Sequence, residues 1–235
     1  HAPAILSSLD PRAHGYDPAV CSVQRLADAK HVLIPEPELD AATEGVFEHY
    51  NSNLMWPIGR REMTMEEAVG GVPGVLSSLR VNTSPGYPLV LRNPGKGKKP
   101  FFHHDGEKMV IEPYFRDLVN IRLETMDNYK PGDYMDFRFI GYCKDELVKS
   151  SKIAQVKTRM VFSNSVVDMT AFRMKFGALL CAFNNSWKYV SSAIGMNQYS
   201  YDMETLYDYM TKKGHFNFLA GDYSAFDQHY QPQVR

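Results

Sequence analysis

Apolar positions recur at two periods along the chain, and the places where the period changes predict its elements. After Asp168, residues Phe172, Phe176, Leu179, Leu180 and Phe183 fall at i, i+4, i+7, i+8 and i+11, the spacing of one helix face. This predicts a helix with Asp168 as its N-cap and the stripe in the core. Phe115, Leu118, Val119 and Met126 form one side of another helix, from Glu112 to about Tyr129, closed by Pro131-Gly132. A third is capped by Asp202 and turns Met203, Leu206, Tyr207 and Met210 inward. Lys212-Lys213-Gly214 ends it, with cations at the negative pole and a glycine stop. Glu36-Pro37-Glu38 opens a helix to about Tyr50, with proline and acids in its first turn. Thr64-Met65-Glu66-Glu67 reads as a capping box before a short helix stopped by Gly70-Gly71.

Extended and alternating runs predict strands at Tyr134–Tyr142, at Met160-Val161-Phe162 and at Phe216-Asn217-Phe218-Leu219-Ala220. Residues 1–35 carry Pro3, Pro11, Pro18 and Pro35, which leave room for helix only around Ala19–Ala29. An extended, packed-down arm is expected there. Thr83-Ser84-Pro85-Gly86-Tyr87-Pro88 is a turn cluster with a hydroxyl pair at its head.

Composition narrows the picture modestly. With 235 residues and 44% hydrophobic content, the chain has enough for a sizeable core and one or two domains. A net charge of −1 points to no partner, so any nucleic-acid site must be a local basic stripe. Cys21, Cys143 and Cys181 are odd in number and form no CxxC. They argue against a disulfide framework or a zinc site and fit a reducing compartment. No apolar run approaches the roughly 18 residues of a membrane span. The chain starts at His1 and stops at Arg235, so a processed product or fragment with a C-terminal continuation is expected.

Two stretches carry most of the candidate chemistry. Asp222 follows the alternating run 216–220, and Asp227 lies five positions on. A carboxylate at a strand tip can hold a hard divalent cation, because Mg²⁺ prefers oxygen ligands. Five helical steps would leave the two carboxylates about 140° apart, and on a strand they would face opposite ways. A strand ending at Asp222 and turning through Ser224-Ala225 could bring both to one site in different roles. The bland alternative is a turn cap and a solvated acid. In the second stretch, residues 144–159, Lys144, Lys149, Lys152, Lys157 and Arg159 stand against two acids, Asp145 and Glu146. Closely spaced cations before a strand, with hydroxyls at Ser150, Ser151 and Thr158, suit a triphosphate. A water-exposed charged hairpin fits the same residues. Arg92, Lys96, Lys98 and Lys99 add a stretch free of acids after the turn cluster, either a solvated loop or a phosphate-contacting rim.

In this order and spacing, the stretches resemble the RNA-dependent RNA polymerase of picornavirus-like positive-strand RNA viruses, over essentially the whole chain. Ala2-Pro3-Ala4 to Asp10-Pro11-Arg12 is similar to the family's fingers segment. Residues 83–88 resemble its motif G, Lys144-Asp145-Glu146-Leu147 through Lys157-Thr158-Arg159 its motif F, and Asp222–Asp227 its motif A. The resemblance implies an α+β fold, a partial right-hand polymerase with the fingers subdomain plus the first strand and helices of the palm. Residues 1–175 would be fingers and 176–235 the start of the palm.

The resemblance further implies that Asp222 binds catalytic Mg²⁺ (or Mn²⁺), with the Tyr223 carbonyl as a further ligand. Asp227 would help recognise the ribose 2′-hydroxyl. Lys144, Lys152, Lys157 and Arg159 would line the nucleoside triphosphate channel. Thr83, Ser84 and Gly86 would guide template RNA. Partners would be RNA template and primer, nucleoside triphosphates and other viral replication proteins, in replication complexes of the host cytoplasm. Relatives carry a base directly after the Lys-Asp-Glu-Leu run. Here Val148 stands there and Lys149 follows. The family's motif B and its Gly-Asp-Asp motif C would lie beyond residue 235, so the chain alone is expected not to polymerise. Two other readings compete: an RNA-binding module without catalysis, and a two-metal nuclease. The nuclease is the weaker, since His229 is the only further ligand type close to the aspartate pair.

Overall fold

Ser165, not Asp168, starts the long helix. Its hydroxyl accepts from the Val167 N–H, the backbone is extended at Ser165, and the helix runs over Val166–Asn185. Asp168 sits inside the first turn, 6% exposed, paired with Arg122. The expected stripe is also on the wrong side. Phe172, Phe176 and Leu180 are exposed, whereas Ala171, Gly177, Ala178, Cys181 and Ala182 are buried. Close approach is the reason. The Met63 N–H donates to the Met174 carbonyl at 2.8 Å, and a Cβ on Gly177 would collide with the Met63 sulfur. Only small side chains fit against that neighbour, so the large ones turn outward, where Phe172 and Phe176 stack on each other at 4.8 Å.

The computed structural model describes residues 1–28, 33–106, 108–130, 133, 135–214 and 216–222. In chain order its elements are β1 (Ala2–Pro3), a 3-10 turn (Pro11–Ala13), α1 (Pro18–Ala27), α2 (Glu36–Asn53), α3 (Met65–Gly70), α4 (Leu89–Arg92), β2 (Phe102–His104) and β3 (Met109–Ile111). Then follow α5 (Pro113–Asp127), β4 (Ile140–Cys143), β5 (Leu147–Val148), α6 (Ser150–Ala154), β6 (Met160–Ser163), α7 (Val166–Asn185) and α8 (Asp202–Thr211). Three antiparallel pairs form, β1 with β5, β2 with β3 and β4 with β6. The chain divides into two compact units. One combines His1–Pro35, Arg138–Asn164 and the chain from Gly221 onward; the other combines Glu36–Phe137 and Ser165–Ala220.

The second unit is built on apolar burial. Phe101, Phe102 and Phe115 are at most 2% exposed and meet with ring centroids 5.5–5.8 Å apart. Val69, Val119, Val166 and Ala171 close the cluster, joining α3, α5, α7 and the β2–β3 hairpin. Each fully buried side chain of this size contributes about 1.5–3 kcal/mol. The capping box at Thr64 forms as expected: Glu67 N–H donates to Thr64 Oγ1 at 3.2 Å and Thr64 N–H to Glu67 Oε2 at 2.9 Å. Arg61 also pairs with Glu67, and its donated bonds hold that carboxyl down at about 2. Arg122 ties three parts of this unit together. It pairs with Asp168, donates to the Asp136 carbonyl at 3.0 Å, and lies 4.9 Å over the Phe137 ring.

Three other expectations need correction. The strand expected over 134–142 forms only over Ile140–Cys143, the four residues that face β6. No described strand pairs with Met135–Phe139; Asp136 and Phe137 serve Arg122 instead. In α8, Met203, Tyr207 and Met210 are exposed, with no buried residue in the helix, because among the described residues no apolar cluster lies against it. Its first residue is Asp202, and the cap position falls on Tyr201. Finally, Phe216–Asp222 is not a strand: Phe216, Phe218 and Leu219 are exposed. No described strand pairs with it, and without a ladder the backbone groups stay with water. Pro131-Gly132 lies outside the described residues; α5 ends earlier, at Asp127.

Candidate nucleotide and RNA interface

The cation loop of the first unit hangs from a hairpin. β4 and β6 pair in the register Ile140↔Ser163 to Cys143↔Met160. The ladder continues one step further, where the Lys144 N–H donates to the Arg159 carbonyl at 2.8 Å. Lys144 and Arg159 are thereby pinned side by side where the loop leaves the hairpin, although fifteen positions separate them in sequence. Between them the arm expected at the N-terminus forms a floor. Ala2 and Pro3 pair with Val148 and Leu147, and the Ala4 N–H donates to the Glu146 carbonyl at 2.9 Å. The Thr158 hydroxyl, buried, donates to the Ile5 carbonyl at 2.7 Å, and Arg25 donates to the Thr158 carbonyl at 3.3 Å.

Val156 turns the loop back. Its φ of 48° is left-handed, a costly conformation for a β-branched residue. Its side chain is 5% exposed and packs with Ile5, Ala13 and Ile153. That burial holds the turn, and the Lys157 N–H closes it on the Lys152 carbonyl at 2.8 Å.

Glu146 is the residue that gathers the cations, a role its place in sequence does not display. Lys144 Nζ lies 3.0 Å and Arg159 Nη1 3.6 Å from its carboxylate. The Lys144 hydrogen bond, followed by the charges of Lys144, Arg159 and Lys152, pulls its carboxyl below the ordinary range. One acid thus gathers two cations, with Lys152 adding to the field, and leaves a positive excess. Only the cross-strand register reveals this, since in sequence Glu146 is one letter of an acidic pair. The structure brings Lys144, Arg159 and Glu146 together, and Lys152 and Lys157 lie exposed beside them on the same loop. The strand alternation also explains the Val148 position. Leu147 points out and Val148 in, 7% exposed, so a base at 148 would be buried and Lys149 is the outward one.

The turn at 83–88 lies in the second unit. The Thr83 hydroxyl donates to the Arg80 carbonyl at 3.0 Å, and the Gly86 N–H donates to Ser84 Oγ at 3.2 Å. Gly86 has φ 73°, which glycine adopts freely. Pro85 is buried, and its carbonyl accepts from the Val166 N–H at the start of α7. Of the basic residues that follow, Lys98 is not on a solvated rim: it is 6% exposed and donates to Thr83 Oγ1. Arg92 hydrogen-bonds the Tyr114 hydroxyl.

Asp222 is exposed, in a segment without regular structure. Tyr223 and Asp227 lie outside the described residues. Carboxylate and carbonyl oxygens suit Mg²⁺ in kind. Among the described residues, however, no group of three or more His, Cys, Asp or Glu side chains could hold a metal. Asp222 alone does not make such a site. Among the described residues, no helix is long and apolar enough to cross a membrane.

The family described as viral RNA-dependent RNA polymerase matches residues 1–235. The chain is 29% identical over 233 residues to the genome polyprotein of Poliovirus type 3 (strain 23127), covering 98% of this chain and 9% of that protein. It is 34% identical over 196 residues to the genome polyprotein of Human rhinovirus A serotype 89 (strain 41467-Gallo), covering 82% of this chain and 8% of that protein. A solved structure of Sicinivirus 3Dpol RNA dependent RNA polymerase superposes with a TM-score of 0.69 at 24% identity, over 88% of this chain and 40% of the other. The fold is therefore that of part of a polymerase, and the chain spans under a tenth of the curated polyproteins it matches. The chain belongs to the viral RNA-dependent RNA polymerase family.

Proposed function

We propose that this chain is the fingers and opening palm of an RNA-directed RNA polymerase, which extends an RNA 3′ end on an RNA template during viral genome replication. The observation that carries this is the convergence of Lys144 and Arg159 on Glu146 at the end of the β4–β6 ladder. Two cations held by one carboxylate form a receptor for a more highly charged anion. A triphosphate competes with Glu146 for the same donors, and Arg159, two-thirds exposed, is free to donate in a fork to phosphate oxygens. Lys152 and Lys157 extend the channel for the incoming nucleotide.

In this reading residues 1–175 serve as fingers and 176–235 as the start of the palm. The 83–88 turn guides the template. Asp222 and the Tyr223 carbonyl supply the first oxygen donors for Mg²⁺ or Mn²⁺, and Asp227 reads the ribose 2′-hydroxyl. Asp222 and Tyr223 would hold the metal only together with carboxylates from outside these residues, and the chemistry it would supply there is charge stabilisation of the reacting oxygens. Motifs B and C belong to chain outside these 235 residues, so the chain alone does not incorporate nucleotides. Its setting is the replication complex in host cytoplasm, alongside other viral replication proteins.

The test uses the longer polymerase. Arg159→Ala is expected to raise the nucleotide KM, and an unchanged KM removes Arg159 from the nucleotide site. Asp222→Ala is expected to abolish incorporation with RNA binding nearly intact. If RNA binding falls as steeply, the RNA-binding module without catalysis becomes the better reading. Incorporation on a primed template by the 235-residue chain would sink the claim that it is incomplete.

A further inference from the structure

The turn at 83–88 offers two hydroxyls, but they are not equivalent. An ammonium group has only donors, so in the contact between Lys98 and Thr83 the lysine donates and Thr83 Oγ1 accepts. The Thr83 proton then goes to the Arg80 carbonyl, 3.0 Å away. Ser84 Oγ accepts from the Gly86 N–H at 3.2 Å, which leaves its own proton for an acceptor outside the turn. We infer that Lys98 is a positioning residue for this turn: it holds Thr83 as an acceptor, and it leaves Ser84 as the hydroxyl that donates to a passing RNA phosphodiester. The inference rests on the proposed role of the turn as a template guide.

Lys98 is built for that task. Its N–H donates to the Val81 carbonyl at 2.7 Å, and its carbonyl accepts from the Phe101 and Phe102 N–H groups. Gly97 before it has φ 61°, and a Cβ there would stand 2.6 Å from the Val81 carbonyl oxygen. The backbone on both sides is fixed, so the side chain has one place to go. The ammonium makes no ion pair with a described carboxylate, and burial pulls its pKa down. A bare cation placed to bind RNA directly would be open to solvent; this one is sealed beneath the turn, with Thr83 above it.

The test is a double-mutant cycle on the 235-residue chain, with thermal unfolding and binding of a single-stranded RNA oligonucleotide at several salt concentrations. Thr83→Val lowers the Tm by about 3–8 °C, because it leaves the buried ammonium without its acceptor, whereas Lys98→Met costs less, because Thr83 is exposed and keeps its bond to the Arg80 carbonyl. The double variant recovers most of that loss, since both partners are gone. Each single variant weakens RNA binding about 2–10-fold through disorder of the turn, and the double variant no more than either. The salt slope stays that of the unaltered chain, whereas a direct phosphate contact by Lys98 lowers it by about 0.7. Ser84→Ala weakens RNA binding about 2–10-fold with its Tm kept.

A reduced slope for Lys98→Met, or additive losses in the cycle, overturns the positioning role of Lys98. Full RNA affinity in Ser84→Ala, with losses in the other variants, overturns the Ser84 assignment alone. Equal RNA affinity in all four variants, with the Tm coupling intact, instead overturns the template-guide reading itself.

Discussion

The two units hold themselves together by different means. In the second unit, three phenylalanines from β2, α5 and the segment before β2 close one core with Val69, Val119 and Val166. Among the described residues of the first unit, the buried cluster is Ile5, Ala13 and Val156, with Ile153 against it. Its shape comes instead from backbone ladders and from single bonds such as Thr158 to Ile5. A closed apolar core resists local opening, whereas a ladder with little burial opens cheaply. The cations of the proposed nucleotide channel thus sit on the lightly packed unit, where a loop can adjust around a triphosphate. The hydroxyl turn sits on the heavily packed one, where a guide for RNA needs to stay still.

The largest expected effect tests the heavy unit. Asp168→Ala leaves Arg122, whose side chain is 16% exposed, without its acid, and breaks of largely buried pairs cost about 3–5 kcal/mol. Urea unfolding monitored by tryptophan fluorescence checks it, and a loss under 1 kcal/mol would mean the pair is not a tie point. Phe115→Ala empties the centre of the aromatic trio, at a similar cost of about 3–5 kcal/mol. The counterpart in the light unit is Ile5→Ala, expected at the low end of the range for such truncations, about 2 kcal/mol, because a cluster of four can collapse into the gap. Hydrogen exchange separates the two. Ile5→Ala deprotects the Val156 and Lys157 amides and spares α7; Phe115→Ala does the opposite. Equal deprotection in both units would erase the contrast.

The smallest effect is one of pH. Glu67 in the second unit is held at about 2, chiefly by hydrogen bonds from Arg61. Asp10 in the first is also held at about 2, by hydrogen bonds from Arg12. Both carboxyls are depressed, so each contributes stability above its unfolded value near 4 and loses it as the pH falls toward about 2. Both pairs face solvent, so the loss is shallow and salt-sensitive. Acid titration of Glu67→Gln should show a flatter decline between pH 4.5 and 2, and an unaltered decline would remove Glu67 from the account.

Much of this was legible in the sequence, and the failures share a cause. The capping box at Thr64 and the helix at 113–127 depend on neighbours in sequence, and each formed; the strand after Arg159 formed too, but only because β4 supplies its ladder partner. The buried face of α7 depends on Met63 and on the closeness of its approach, which no periodicity encodes. Asp168 looked like a cap because Arg122, its partner, is 46 positions away. The run 216–220 has the pattern of a strand, but a strand also needs a partner. The cation loop was visible as a string of bases, whereas the gathering role of Glu146 exists only once the hairpin register sets Arg159 beside Lys144.

The bond from Thr158 to Ile5 spans 153 positions of chain. During synthesis at about 5–20 residues per second, the arm emerges roughly 10–30 s before the segment it must join. Until then Ile5 has no lid, and Val156 has nothing to hold it in its left-handed turn. The rings of Phe101, Phe102 and Phe115 meet within 14 positions, although their core closes only when Val166 and Ala171 of α7 follow. The arm must therefore stay open long after it is made, and a chaperone or a pause that shields residues 2–5 would act on the timing of this unit's assembly while leaving its final shape alone.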